Sequence, residues 1–140
     1  MLASAHAQST KSKFRLLYLG SDLALIAALR KVLTEPDYRL VACSDRGSAI
    51  MFLKSEIPYD LLLIDLEWRG REGLKLAQLA RSLPPREGMP IVLVGVELSK
   101  HTMKLASRAG INKCVTKTAD ISAVSKVIRQ LTVAKTASAD

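Results

Sequence analysis

At 140 residues, 49% hydrophobic and 24% charged, the chain has the size and composition of one globular domain with a sizeable core. Its apolar runs are too short to cross a bilayer, and Met1–Thr10 lacks the apolar segment of a secretion signal. The net charge of +8 is uneven, because residues 98–140 hold eight Lys and Arg against Asp120 and Asp140, so +6 of it lies in the last third.

Met1–Lys13 is small, polar and basic without periodicity, and reads as a flexible N-terminal tail. Phe14–Leu19 reads as a strand. Asp22–Leu33 reads as a helix, with Leu25/Ile26, Leu29 and Val32/Leu33 at three- and four-residue intervals and Ser21 or Asp22 as N-cap. Glu35-Pro36-Asp37 breaks it before a second strand, Tyr38–Cys43, and a second helix, Arg46–Ser55. The run Leu61–Ile64 is a third strand that ends on Asp65, followed by the turn residue Gly70 and a helix over Gly73–Ser82. Leu83-Pro84-Pro85 stops that helix, and Pro90 introduces the strand Ile91–Val94. Leu98–Ala109 is a fourth helix with Gly110 as its C-terminal glycine. Asn112–Thr116 is a short fifth strand, Ile121–Leu131 a final helix, and the chain closes on a tail, so that residues 14–133 make up the domain and 134–140 the end. Cys43 and Cys114 lie singly in strands, which suggests reduced thiols and a cytoplasmic setting. The pattern predicts an α/β fold, a doubly wound five-stranded parallel sheet covered by five helices.

In such a sheet, functional groups gather at the carboxyl ends of the strands. There the sequence places Asp22 after strand one, Asp65, Glu67 and Trp68 after strand three, Gly95 after strand four and Lys117 after strand five. A lysine opposite carboxylates can hold a phosphoryl group, with one carboxylate as nucleophile and metal ligand. It can equally be a structural ion pair. Asp22 has two roles open to it, capping the first helix or ligating magnesium weakly. Glu67 is either an exposed loop residue or a reach back into the site, and Trp68 a loop anchor or an exposed docking indole.

On Tyr59-Asp60-Leu61-Leu62-Leu63-Ile64-Asp65, Gly73, Pro90–Val94, and Ala109-Gly110 before Lys117, the chain resembles the receiver domain of two-component response regulators over about residues 14–133. The resemblance implies a flavodoxin-like receiver fold, Asp65 as phosphoacceptor, Lys117 as its phosphate or carboxylate partner, and a magnesium ion. It also implies a signalling module rather than an enzyme, with a histidine kinase or output protein as partner. The departures cluster at the site. The family's acidic pair falls on Gly20 and Ser21, its strand-four hydroxyl on Gly95, its switch aromatic on Cys114, its post-lysine proline on Thr118 and its loop proline on Arg69. Any magnesium site would be weak and rebuilt from Asp22, Asp65 and Glu67.

Lys100, Lys104 and Arg108 recur every four residues opposite the stripe Leu98, Thr102, Leu105 and Ala109, and Lys126 and Arg129 share a face of the last helix. The resemblance assigns dimers and outputs to the surface of the fourth helix, fifth strand and fifth helix. These five basic residues would suit a protein partner with an acidic surface, or a homodimer. The expectation is an atypical member that acts by protein–protein interaction with weak or no dependence on phosphorylation. The alternative is an ordinary phosphoaccepting receiver, including the regulatory part of a longer transcriptional regulator. Nucleic-acid binding ranks below both, because no helix-turn-helix follows strand five and few aromatics could stack on bases. His6 and His101 are too isolated to form a metal site or triad, and no membrane insertion is expected.

Overall fold

The computed structural model describes residues 13–69, 71–118 and 120–139, with side chains as far as Ala134; Gly70, His6 and nearly all of the expected N-terminal tail lie outside them. Five strands, β1 (Phe14–Leu19), β2 (Tyr38–Cys43), β3 (Leu61–Asp65), β4 (Ile91–Gly95) and β5 (Lys113–Thr116), form one parallel sheet in the order β2-β1-β3-β4-β5. Five helices alternate with them: α1 (Leu23–Val32), α2 (Arg46–Lys54), α3 (Glu72–Ser82), α4 (Lys100–Arg108) and α5 (Ser122–Ala139). The parallel, doubly wound sheet is the one the sequence pattern predicts.

Strand alternation splits the core in two. Leu17, Leu19, Leu62, Ile64, Ile91 and Leu93 pack with Ala49, Leu53, Leu76, Ala77, Ala106 and Ala109 of α2, α3 and the α4 end. Leu16, Tyr18, Leu61, Leu63, Val92, Val94 and Val115 pack with Leu25, Ile26 and Leu29 of α1 and Val124 and Ile128 of α5. Every residue of β3 and β4 is buried, which is why those strands are unbroken apolar runs rather than alternating ones.

Helix starts follow local chemistry. Asp22, Asp45 and Ser99 accept hydrogen bonds from Leu25 N, Ser48 N and Thr102 N respectively, each supplying a partner for an otherwise unbonded N–H of the first turn. The Ser99 cap starts α4 at Lys100, two residues later than its periodicity suggests. β3 ends on Asp65 and β4 on Gly95, at the strand ends expected to carry the site. A 3₁₀ turn at Pro84–Arg86, which the sequence reading passes over, joins α3 to β4.

The last helix differs most. It continues past Leu131 to Ala139, through the segment expected to be a tail. Thr132 explains the extra turn: it is fully buried, its hydroxyl lies 2.9 Å from Tyr38 Oη and it donates to the Ile128 carbonyl. A hydroxyl bonded back to residue i−4 satisfies itself within the helix, so a polar residue here is packed rather than frayed.

Candidate functional site

β1 pairs with β3 so that Leu19 lies opposite Ile64, and β3 with β4 so that Asp65 lies opposite Val94. This register sets Gly20, Asp65, Gly95 and Lys117 at one edge of the sheet. The Lys117 N–H donates to the Gly95 carbonyl at 2.7 Å, which fixes the root of the lysine beside the end of β4.

Asp65 is 2% exposed, and both of its oxygens are engaged. Oδ2 accepts from Lys117 Nζ at 2.8 Å and from Tyr18 Oη at 2.7 Å, while Oδ1 accepts from the Glu67 N–H at 3.1 Å. The Lys117 ammonium also donates to Asp22 Oδ2 at 2.9 Å and lies 3.4 Å from Glu67 Oε1. Three carboxylates thus converge on one ammonium, and that ammonium, with the Tyr18 hydroxyl and the Glu67 N–H as further donors, offsets the cost of burying Asp65.

The expected site residues Asp22, Asp65, Glu67 and Lys117 are brought together. Asp22 combines two roles: Oδ1 caps α1 and Oδ2 pairs with Lys117. Glu67 combines its two readings: it is an exposed loop residue, yet its Oε1 lies 3.4 Å from Lys117 Nζ and its Oε2 accepts from the Val96 N–H at 3.1 Å. Trp68 is the loop anchor of its two readings, not a docking indole. It is 3% exposed, and its Nε1–H donates to the Ser44 carbonyl at 3.1 Å. Cys43 is buried and Cys114 half-buried, both as free thiols.

Tyr18 is the residue that sequence reading missed. It is fully buried within β1, on the α1/α5 side of the sheet. Tyr18 pairs with Leu63, and Asp65 stands two residues beyond Leu63, so strand parity puts phenol and carboxylate on the same face. The signal was a phenol among the leucines at the end of β1, at the parity that faces Asp65. Its hydroxyl additionally accepts from the Asp22 N–H at 3.2 Å.

Two glycines make room for these side chains. A Cβ at Gly20 would collide with Tyr18 Oη and lie 2.5 Å from its Cζ and 2.7 Å from Asp65 Cβ. A Cβ at Gly95 would lie 3.1 Å from Leu66 Cβ and 3.2 Å from Glu67 Oε2. The phenol end therefore occupies the space that a side chain at residue 20 would need, whereas at residue 95 Leu66 and the Glu67 carboxylate leave a tight fit.

Burial, followed by the hydrogen bond to Asp65, holds the Tyr18 phenol well above its ordinary pKa. Burial alone would lower the Lys117 ammonium, but its hydrogen bonds to Asp65 and Asp22 outweigh that and raise it. Capping and pairing lower Asp22, the hydrogen bond from Lys117 being the largest contribution. Tyr18 and Lys117 both have folded-state values above the unfolded ones. Their stabilisation is complete below pH about 10, where the free groups begin to titrate, and is lost as pH rises further. A series of thermal melts from pH 8 upward should show the melting temperature falling beyond about pH 10, and Tyr18→Phe should reduce that slope. An equal slope in both proteins would contradict the assignment for Tyr18.

The basic residues divide. Lys100, Lys104 and Arg108 are exposed on α4 and enter no ion pair among the described residues. Lys113 is exposed at the start of the edge strand β5. Lys126 is exposed on α5. Arg129 is turned to α1 instead, donating to the Val32 carbonyl at 2.6 Å, where its charge also favours a helix C-terminus.

The profile of the response regulator receiver domain family matches residues 21–129, and the chain belongs to that family. It is thus a receiver domain of two-component signalling. Among solved structures it is similar to a CheY-like response regulator receiver domain protein from Methanospirillum hungatei JF-1, with a TM-score of 0.70, 22% identity, and 86% of this chain and 94% of that chain covered. A putative pilus assembly-related protein from Burkholderia pseudomallei is similar with TM-score 0.69 and 20% identity over 86% and 90% of the two chains. The receiver domain of a sensor histidine kinase from Pseudomonas aeruginosa, with a magnesium ion coordinated in its active-site cleft, gives TM-score 0.73 and 15% identity over 86% and 98%. At these identities the likeness carries the fold. A search of curated proteins returned no match. Among the described residues no helix is long and apolar enough to cross a membrane.

Receiver domains bind magnesium beside the phosphoacceptor. In this chain the donors do not fit that ion as they stand. No group of three metal-binding side chains presents itself among the described residues, the point where the carboxylates meet is taken by the Lys117 ammonium, and the Tyr18 hydroxyl lies against Asp65 Oδ2.

Proposed function

We propose that this domain is an atypical receiver that works by protein–protein contact, with weak or no dependence on phosphorylation of Asp65. The observation that carries the reading is the state of the Asp65 carboxylate: buried, paired with Lys117, and hydrogen-bonded by Tyr18 and the Glu67 N–H. A nucleophile must present an oxygen lone pair to an incoming phosphorus, and here Oδ2 is held by two donors and Oδ1 by the Glu67 N–H. Divalent cations are accordingly weak ligands, and the domain is a signalling module rather than an enzyme. Lys100, Lys104 and Arg108, joined by Lys126, form the contact surface, suited to an acidic patch on a kinase, an output protein or a second copy of the chain. A cytoplasmic location accords with free thiols at Cys43 and Cys114.

Incubation with magnesium chloride and acetyl phosphate is expected to leave the intact mass unchanged and the Trp68 fluorescence flat. In complementation of a deletion strain, Asp65→Asn should behave as wild type, while Lys100→Glu/Lys104→Glu/Arg108→Glu should lose the phenotype. A stoichiometric phosphoryl adduct that Asp65→Asn abolishes would refute the proposal in favour of an ordinary phosphoaccepting receiver.

A further inference from the structure

The edge of the sheet contains an exchange between two positions on the same strand. Gly20 follows β1 directly and offers no side chain, and the Tyr18 phenol, from two residues earlier, fills the space above it. The two choices exclude one another: while Tyr18 points to Asp65, any side chain at residue 20 would strike its hydroxyl, its Cζ and Asp65 Cβ. The phenol is also fully satisfied there, donating to Asp65 Oδ2 at 2.7 Å and accepting from the Asp22 N–H at 3.2 Å. It is fully buried in the core built with α1 and α5, so it has no alternative solvent-facing position without repacking Leu25, Ile26 and Leu29.

We infer that Tyr18 is a built-in ligand of the phosphoacceptor pocket: its hydroxyl, seated in the space left by Gly20, holds Asp65 in one ion-paired state and bars magnesium and phosphoryl donors from it. Tyr18 is a positioning residue in this role, since it acts through Asp65. Two donors on a single oxygen keep that carboxylate turned to Lys117. The same hydroxyl fills the space over Gly20 beside Asp65. On the opposite side Glu67, which accepts from the Val96 N–H, lies close to Gly95, where an added Cβ would come 3.2 Å from its Oε2. The inference rests on the phosphorylation-independent reading above and identifies the group that enforces it.

The test compares four proteins, each first checked for a cooperative thermal melt: wild type, Tyr18→Val, Gly20→Asp/Ser21→Asp, and Tyr18→Val/Gly20→Asp/Ser21→Asp. Magnesium chloride is titrated against Trp68 fluorescence, and acetyl phosphate with magnesium is followed by intact mass. Transfer in an opened site would have an Asp65 oxygen attack phosphorus while acetate departs with the electron pair of its P–O bond. The triple variant is expected to bind magnesium about 10–100-fold more tightly than wild type, a range typical of restoring or removing a supporting group, and to gain the mass of one phosphoryl group. Gly20→Asp/Ser21→Asp, which keeps Tyr18, should fail to fold or should fold without that gain. If it binds and phosphorylates as well as the triple variant, Tyr18 does not bar the site and the inference falls. Should the triple variant not fold, Tyr18→Val decides: a phosphorylated fraction above wild type supports the inference, and a wild-type profile overturns it. Phosphorylation of wild type itself would instead refute the proposed function. A silent wild type beside equally silent, folded Tyr18 variants would refute this inference alone.

Discussion

Lys117→Met is expected to destabilise the domain by about 3–5 kcal/mol, the usual cost of leaving a buried ionic partner uncompensated. Asp65 is 2% exposed and would lose the cation that faces it at 2.8 Å. Asp22 and Glu67, both drawn to the same ammonium, would then add like-charge repulsion. Urea denaturation at neutral pH measures the loss as a lowered midpoint at constant m. Asp65→Asn/Lys117→Met should be more stable than Lys117→Met alone, because the amide removes the stranded charge. This non-additivity separates an ion pair from mere packing of the lysine stem. Additive losses would show that the pair carries no coupling.

Arg86→Leu should cost about 4 kcal/mol, although it lies far from the Asp65 pocket. Arg86 is 2% exposed, and its guanidinium donates to the carbonyls of Leu53, Ile57, Phe52 and Ser55 at 2.7–2.9 Å. It lies 5.0 Å from the centroid of the Tyr59 ring. One side chain thereby satisfies the orphan carbonyls at the end of α2 and the loop leading to β3. Leucine would fill much of the space yet leave those acceptors buried at about 1–3 kcal/mol each, with part of the deficit met by water. Arg86→Lys should recover less than half, since a single ammonium cannot span a planar fork of acceptors. The same urea experiment reads both variants, and a loss below about 1 kcal/mol for Arg86→Leu would show that the carbonyls find other partners.

These two residues illustrate what could be read in advance. Lys117 was identifiable from its place after the fifth strand and opposite Asp65. Arg86 was not: it follows Pro84-Pro85 in a stretch that reads as a solvent-facing breaker, and its burial depends on the end of α2 lying beneath it. The full burial of Trp68, a loop anchor as one of its two readings has it, has the same cause, because the Ser44 carbonyl that accepts from it belongs to a loop 24 residues earlier. Arg129 was grouped with Lys126 by helical spacing, which is correct for the helix. The spacing says nothing of α1, whose last carbonyls attract the guanidinium.

The sequence by itself determined the strands, the helices, their order and hence the parallel sheet, because these depend on short-range period, caps and breakers. It also determined that Asp22, Asp65, Glu67 and Lys117 would share an edge, since strand ends in such a sheet converge. Only the tertiary structure decided what that edge contains. The reach of the Tyr18 phenol over Gly20, the turn of Glu67 toward Gly95 and the meeting of three carboxylates on one ammonium depend on register between strands far apart in the chain. Side-chain length and the voids left by two glycines set the rest, and neither has a periodic signature.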